Sequence, residues 1–402
     1  MQPSPALDKI VAQVPRNLSG VERHRLIADL VNQLPAQESD AMREVIHGFI
    51  TAMDGKNASD VDMGGEGTRG HVWYRIYGDK KPDEATGPFS ADQMDVLLQT
   101  LIMESQRKHL FERRNLDFSY RLDAEGKGYR FRADMYFDQD HLALNMRYIT
   151  NKIRPFKGLE LHPEVVKAVT LIYDSQGLTL VTGITGSGKS STLDSMIDAN
   201  NQTADGHIVI IGSPIETVHA SKRCIVRHRE VGRDVGSFKE GAIQALRQDP
   251  DIVVIGEMRD PETIMTGLEI TDSGHKVFST LHTASAVDSI DRIIGECPPI
   301  EQSRVRERLA DTLKCVFSQK LVASTDGKRA LTREVLLMNS SVRAAIKNNN
   351  TSEIYQMMHE GSAVGMNTME QDLKRLVDAR RISPDTAMSE ANNKRRMEEI
   401  LR

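Results

Sequence analysis

Residues 183–190 read Gly-Ile-Thr-Gly-Ser-Gly-Lys-Ser, between the apolar run Leu178-Thr179-Leu180-Val181 and a stretch of helical character from Ser191 to about Asn200. The pattern is G-x-x-x-x-G-K-[ST], and it leaves a chain few options. A strand must deliver the segment, and its glycines must let backbone N–H groups turn inward. A helix must then begin at once, so that its amino end faces the same point. A concavity of that kind holds phosphate. Gly183, Thr185, Gly186, Ser187, Gly188, Lys189, Ser190 and Ser191 are therefore candidate nucleotide-binding residues. Lys189 would supply a point charge to the β- and γ-phosphates, and the Ser190 hydroxyl is placed to reach Mg²⁺. A chance match in a chain of this length is on the order of one per cent.

The segments around this loop alternate strand and helix. LTLVTG, HIVIIG, DIVVIG and KVFSTL are short apolar runs, each followed by a loop and a helical pattern, which predicts a sheet covered on both faces. Upstream, HVWYRIYG, NLDFSYRL, YRFRADMYF and LNMRYIT alternate apolar and polar residues at period two, with a helical stretch at 90–113 and an expected turn at Asp79-Lys80-Lys81-Pro82. Leu26, Ile27, Leu30, Val31 and Leu34 mark amphipathic helix before Pro35. From about 300 onward helical signals dominate, and the tail NNKRRMEEILR reads as frayed. The organisation expected is a helical extension over 1–50, a small α+β module over 51–153, a linker at 154–165, a nucleotide-binding α/β domain over 166–335 and a helical region over 336–402.

Composition removes several classes. Lys plus Arg number 52 against 57 Asp plus Glu, a net charge of −5, so no global basic field for nucleic acid exists. No run of 18 apolar residues is present, and the opening MQPSPALDKI lacks the basic and apolar regions of a secretory signal. Cys224, Cys297 and Cys315 form no CxxC pair, which argues against a disulfide framework or a zinc site. A cytosolic, multi-domain enzyme fits these bounds.

Further candidates sit at strand ends. In Asp249-Pro250-Asp251-Ile252-Val253-Val254-Ile255-Gly256-Glu257, the acidic group follows an apolar strand at its carboxyl end, the edge where phosphate-loop proteins place the nucleotide. Glu257 is thus a candidate to orient or deprotonate water, and Gly256 stands where a metal-organising Asp is usual. His275 and His282 flank the strand KVFSTL, and His282 at its carboxyl end could sense a γ-phosphate. From spacing alone, a strand-end His is more often a structural hydrogen-bonder. Arg130, Arg132 and Arg147 lie in the upstream module. Such arginines are commonly solvated, although charge from a neighbouring subunit is a usual device in phosphoryl transfer. The run Arg223, Arg227, His228, Arg229 and Arg233 carries no interleaved aromatic, which weakens a nucleic-acid reading and leaves a solvated or subunit-contact loop.

Taken together, these residues resemble the secretion ATPase superfamily, most closely its PilT-type pilus retraction branch. The resemblance covers about 58–390. It rests on Ala58-Ser59-Asp60, GITGSGKSST, Ser213-Pro214-Ile215-Glu216, REVGRD (229–234), ALRQDPDIVVIGEMRDPETI (245–264), GHKVFSTLHTASAVDSIDRI (274–293) and Gly365-Met366-Asn367-Thr368-Met369. It implies a PAS-like N-terminal domain moving against a RecA-like ATPase domain in a homo-hexamer that uses ATP and Mg²⁺. It further implies a cytoplasmic position at the inner membrane, on a pilus platform protein, with a related accessory ATPase as a possible companion. By position Glu216 matches the acidic-box glutamate, Glu257 the catalytic glutamate, and His275 and His282 the histidine box. Arg132 and Arg147 fall near arginines directed at nucleotide phosphates.

The sequence departs from the family in places. Gly212 and Ser213 replace the first two acids of the acidic box, no middle arginine stands at Asp138-Gln139-Asp140, and the retraction motif survives loosely as Ser341-Val342-Arg343-Ala344-Ala345-Ile346. The Ser-Pro-Ile-Glu box also resembles ATPases of type IVB secretion and conjugation machines, and the lost acids leave open a weakly hydrolysing accessory ring. Without stacking aromatics or net positive charge, a nucleic-acid translocase is disfavoured.

Overall fold

The computed structural model describes residues 5–124, 126–149 and 153–402. The expected end of the upstream module near 153 adjoins residues 150–152, which lie outside the described residues. The chain divides into two compact units, Met1–Asn151 with Ser213–Thr217, and Lys152–Gly212 with Val218–Arg402.

The first unit is α+β. Its sheet consists of β1 (Ala58–Gly64), β2 (Trp73–Ile76), β3 (Asp79–Pro82), β4 (Asn115–Ala124), β5 (Lys127–Asp138) and β6 (His141–Tyr148), all antiparallel, in the order β3-β2-β1-β6-β5-β4. Period-two patterning sets its two faces. On β5, Tyr129, Phe131, Ala133 and Met135 are buried, while Arg130, Arg132 and Asp134 alternate with them. The buried face meets the helices Ala36–Gly55, Ala91–Gln99 and Glu104–Arg113. Helices of the first 55 residues share this core, with Leu7, Ile27, Ile46 and Ile50 in one cluster with Val61, Phe131 and Leu144. Arg23 fastens them further, pairing with Asp92 and with the buried Asp95, both at 2.5 Å. Asp95 also accepts from Leu142 N at 2.7 Å and contacts His141 Nδ1 at 2.8 Å. Buried ion pairs of this kind are costly to break by removing one partner.

One turn differs from the sequence expectation. Asp79–Pro82 is strand β3, and the chain reverses instead at Tyr77-Gly78, with φ of 51° and 98°. Two successive positive φ values make a two-residue hairpin turn, and glycine makes the second one easy.

The second unit is α/β. It contains β7 (Gly177–Thr182), β8 (His207–Gly212), β9 (Ile225–Glu230), β10 (Ile252–Ile255), β11 (Lys276–Leu281), β12 (Leu313–Ala323) and β13 (Arg329–Leu337), in the order β13-β12-β7-β11-β10-β8-β9. Only β13 runs antiparallel to its neighbour. Every residue of β7, β10 and β11 is buried, as a sheet covered on both faces requires. All four apolar runs found in the sequence became strands. Three strands of this unit were missed. The basic run 223–233, expected as a loop, contains the edge strand β9, and β12 and β13 occupy a stretch expected to be helical. Gln319 and Glu334 lie buried within the latter pair as hydrogen-bonding groups, so polar content disguised interior strands.

The C-terminal region is fastened to β13. Asn367 exchanges backbone hydrogen bonds with Val335, at 2.9 and 3.1 Å. This covers the sheet edge. Thr368 then caps the helix Met369–Asp378 in a capping box with Gln371. The final helix, Lys394–Leu401, is not frayed, because Met397 is fully buried in a cluster with Leu373, Leu376 and Ile382.

Glu334 accepts from the backbone N–H of Ala286, at 2.7 Å, and from that of Met369, so one carboxylate caps the first turns of two helices. Burial pushes its pKa up to about 7 against the pull of those two donors. A folded-state value raised above the unfolded one contributes stability below about pH 4.5 that is lost as pH rises through 7. The Tm advantage of the wild type over Glu334→Gln should therefore be widest near pH 5 and shrink by several degrees towards pH 8. A gap that does not change with pH would show that Glu334 stays ionised throughout.

Candidate functional site

The phosphate loop leaves the carboxyl end of β7 and enters the helix Lys189–Thr203. Gly183, Gly186 and Gly188 have φ of 145°, 80° and 88°, values that L side chains rarely adopt. A Cβ on Gly183 would lie 2.4 Å from Gln319 O and 2.5 Å from Ser187 Oγ. At Gly186 nothing lies within 4 Å, so that side of the loop is open. Thr185, Ser190 and Ser191 are exposed, and Ser187 is buried with its hydroxyl lacking a hydrogen-bond partner among the described residues. A buried, unpaired hydroxyl in a loop shaped by positive-φ glycines fits a phosphate oxygen.

Gln319, which sequence reasoning missed, supports the loop from β12. Its Nε2 donates to Ser187 O at 2.8 Å, and its backbone O crowds Gly183. The signal was a glutamine inside Val316-Phe317-Ser318-Gln319, legible only once that segment is known to be a strand beside β7. A row of buried hydroxyls continues underneath. Ser318 Oγ meets Thr182 Oγ1 at 2.7 Å, Ser289 Oγ lies 3.4 Å from Thr182, and Thr283 Oγ1 meets Ser289 at 2.6 Å.

Two neighbouring strand ends bring in the acid and the imidazole. Lys189 Nζ donates to Gly183 O at 2.8 Å and Ile184 O at 3.1 Å, and lies 3.5 Å from His282 Nδ1. His282 Nε2 lies 3.5 Å from Glu257 Oε1, and Arg259 Nη2 lies 2.7 Å from Glu257 Oε2. The result is a chain from lysine to imidazole to carboxylate to guanidinium along one sheet edge. Burial, with the Lys189 charge second, lowers the pKa of His282, and the attraction of Glu257 opposes this. The imidazole is therefore largely uncharged at neutral pH.

Local packing explains these positions. A Cβ at Gly256 would lie 3.2 Å from Ile211 O and 3.4 Å from Gly212 Cα, so the position usual for an aspartate is crowded by the neighbouring strand β8. Asp260 caps the helix Pro261–Asp272, with Oδ1 accepting from Thr263 N at 2.8 Å and Oδ2 from Thr263 Oγ1 at 2.8 Å, so this acid is committed to structure.

The remaining candidates lie elsewhere. His275 precedes β11 at its amino end, with Nδ1 2.9 Å from Ser273 Oγ. Six residues of strand, about 20 Å, separate that end from His282, so His275 lies at the opposite end of β11 from His282. Its contacts are those of a loop hydrogen-bonder. In the first unit, Arg132 Nη1 lies 3.2 Å from Glu216 Oε1, Arg130 Nη2 donates to Ile215 O at 2.9 Å, and Arg147 Nε donates to Asp60 Oδ1 at 2.8 Å. In and before β9, Arg223 forks onto Asp205 and Arg229 donates to Gln244, which ties part of the basic run into ion pairs and hydrogen bonds of the second unit.

Removing the Gln319 donor leaves Ser187 O without its strut, while the backbone O that crowds Gly183 stays in place. Gln319→Ala should weaken nucleotide binding about tenfold, measured by titration of a fluorescent ADP analogue. Unchanged affinity would mean that the loop holds its shape unaided.

The chain is 38% identical over 304 residues to the type IV pilus retraction ATPase PilT of Pseudomonas aeruginosa, covering 76% of this chain and 87% of that one. Its structure matches the crystal structure of the pilus retraction motor PilT with bound ADP at a TM-score of 0.77 and 35% identity, over 89% of this chain and 98% of that chain. The ATPase DotB of Legionella pneumophila shares the fold, with a TM-score of 0.76 at 23% identity over 86% and 95% of the two chains. The family model for type II/IV secretion system proteins matches residues 36–399, and the chain belongs to that family.

Proposed function

We propose that this chain is a motor that forms a homo-hexamer and hydrolyses ATP to power type IV pilus retraction, the basis of twitching motility. The observation that carries the proposal is the meeting of Lys189, His282 and Glu257 at the carboxyl edge of one sheet, in a chain 38% identical to a pilus retraction ATPase. The inward-turned backbone of 183–190, Lys189 and the Ser187 hydroxyl take the phosphates. The exposed Ser190 hydroxyl would hold Mg²⁺, which when bound neutralises phosphate charge. Glu257 orients the attacking water, and the uncharged His282 offers a hydrogen bond on the γ-phosphate side. No covalent intermediate on the protein is needed, since positioning and electrostatic stabilisation supply the rate.

Arg132 and Arg147 are assigned to phosphate contacts made at a subunit boundary, where nucleotide binding would bias one domain arrangement over another, and Glu216 to organising the γ-phosphate side. In this reading 51–153 is the moving PAS-like domain, 166–335 the RecA-like motor and 336–402 its helical extension. The extension at 1–50 and the linker at 154–165 complete the division. The partner is a platform protein at the cytoplasmic face of the inner membrane, with a related accessory ATPase beside it. Among the described residues no helix is long and apolar enough to cross a membrane, so attachment through such a partner is the simplest arrangement. A second reading, a slowly hydrolysing accessory ring or the ATPase of a type IVB machine, is favoured by Gly212-Ser213-Pro214-Ile215-Glu216 in place of a fully acidic box.

Steady-state ATPase activity with Mg²⁺, measured with the size distribution of the same sample, tests the proposal. Activity should follow a hexamer peak, and Glu257→Gln should lower kcat a hundredfold or more, by about the contribution of a positioned base, while ADP still binds. Normal turnover in that variant would remove Glu257 from the chemistry.

A further inference from the structure

Arg259 has no role in the site assigned above, although its side chain reaches the group on which that site depends. Three features fix the segment that carries it. Gly256 N donates to Ile211 O at 2.8 Å and Gly256 O accepts from Thr280 Oγ1 at 2.7 Å. Met258 is buried to 1% exposure against Gly267, where an added Cβ would meet its Cε at 2.3 Å. Asp260 caps the next helix. With Met258 anchored in the core, its neighbours Glu257 and Arg259 project away from it together, and the spacing Glu-Met-Arg brings carboxylate and guanidinium into contact.

The two ends of that contact differ. The Glu257 side chain is 16% exposed and Arg259 is 71% exposed, so the guanidinium approaches from the solvent side and adds nothing to the core. It holds Oε2 at 2.7 Å, and the other oxygen, Oε1, faces His282. A glutamate carboxylate rotates easily about its last torsion, whose profile is broad and two-fold. Left alone, it would present either oxygen, in a range of planes, to a water molecule on the Lys189 side.

We propose that Arg259 is a positioning residue for Glu257. It fixes the carboxylate plane so that Oε1 alone faces the reacting water, in the way that a third group orients a general base. This inference rests on the assignment of Glu257 to water activation. It explains why an arginine that stabilises nothing in the core occupies a segment whose backbone is pinned at both ends. An exposed ion pair contributes little to stability, so the contact acts on rate and not on folding.

Four variants test it on the full-length protein: Arg259→Ala, Arg259→Lys, Glu257→Gln, and Arg259→Ala combined with Glu257→Gln. Arg259→Ala should lower kcat about tenfold, with KM for ATP changed less than twofold and the thermal transition and assembly size as in the wild type. Arg259→Lys should recover part of the loss, since an ammonium supplies the charge without the planar fork. Guanidinium chloride at low millimolar concentration should raise the kcat of Arg259→Ala, a rescue that a purely structural defect would not show. In the Glu257→Gln background the second substitution should change nothing further.

A wild-type kcat in Arg259→Ala, beside an inactive Glu257→Gln, would overturn the role of Arg259 and leave the site assignment intact. So would a raised KM at constant kcat, which would place Arg259 on the nucleotide. Full turnover in Glu257→Gln would instead overturn the assignment on which the inference rests.

Discussion

The turn at Gly183 is packed so closely against β12 that its missing Cβ sets the position of the phosphate loop. Gln319 O would stand 2.4 Å from that atom, and the same glutamine donates to Ser187 O. The loop is therefore held by a neighbouring strand as well as by its own glycines. β12 in turn is placed by β13 and by a hydroxyl contact with Thr182 on β7. The glycines permit the loop's path, and the seven-stranded sheet selects one version of it.

A parallel sheet also decides what meets that loop. Strands of one direction deliver all their carboxyl ends to one edge, so residues far apart in sequence arrive together there. Lys189, Glu257 and His282 come from three such ends. Their electrostatics are mutually adjusted: burial and the lysine charge keep the imidazole neutral, which avoids stacking a second cation beside Lys189. The two histidines that flank β11 divide accordingly. The second reaches the loop, and the first lies at the far end of the same strand, held by Ser273.

The central strands and the phosphate loop were legible in the sequence because both carry patterns that depend on the backbone alone. Four continuous apolar runs marked buried parallel strands, and the glycine spacing marked the loop. Glu257 stood out by its place at a strand end, whereas His282 became a candidate only through the resemblance to a known family, since its spacing alone suggested a structural hydrogen-bonder. What escaped was structure whose pattern is set by tertiary context. Gln319 and Glu334 look like surface residues in the sequence, yet both are buried and hydrogen-bonded, and their polarity concealed β12 and β13. Asp79–Pro82 looked like a turn because of its composition, while the positive φ at Tyr77-Gly78 settled the reversal two residues earlier. The N-terminal helices could be seen, but their attachment could not, since it depends on Arg23 meeting Asp92 and Asp95, some 70 residues away. Arg259 lay in plain view within a known motif, and only its contact distance gave it significance.

Glu334 ties together two regions that the sequence keeps more than 80 residues apart. One of its helices starts at Ala286, four residues after His282, and the other starts at Met369, directly after the segment that covers the β13 edge. Both helix starts share a single buried carboxylate, so neither can shift without leaving an N–H or an oxygen unsatisfied in the interior. The C-terminal helices and the histidine loop are consequently geared to each other. A displacement of the one must either carry the other with it or break hydrogen bonds at a joint that is only 2% exposed.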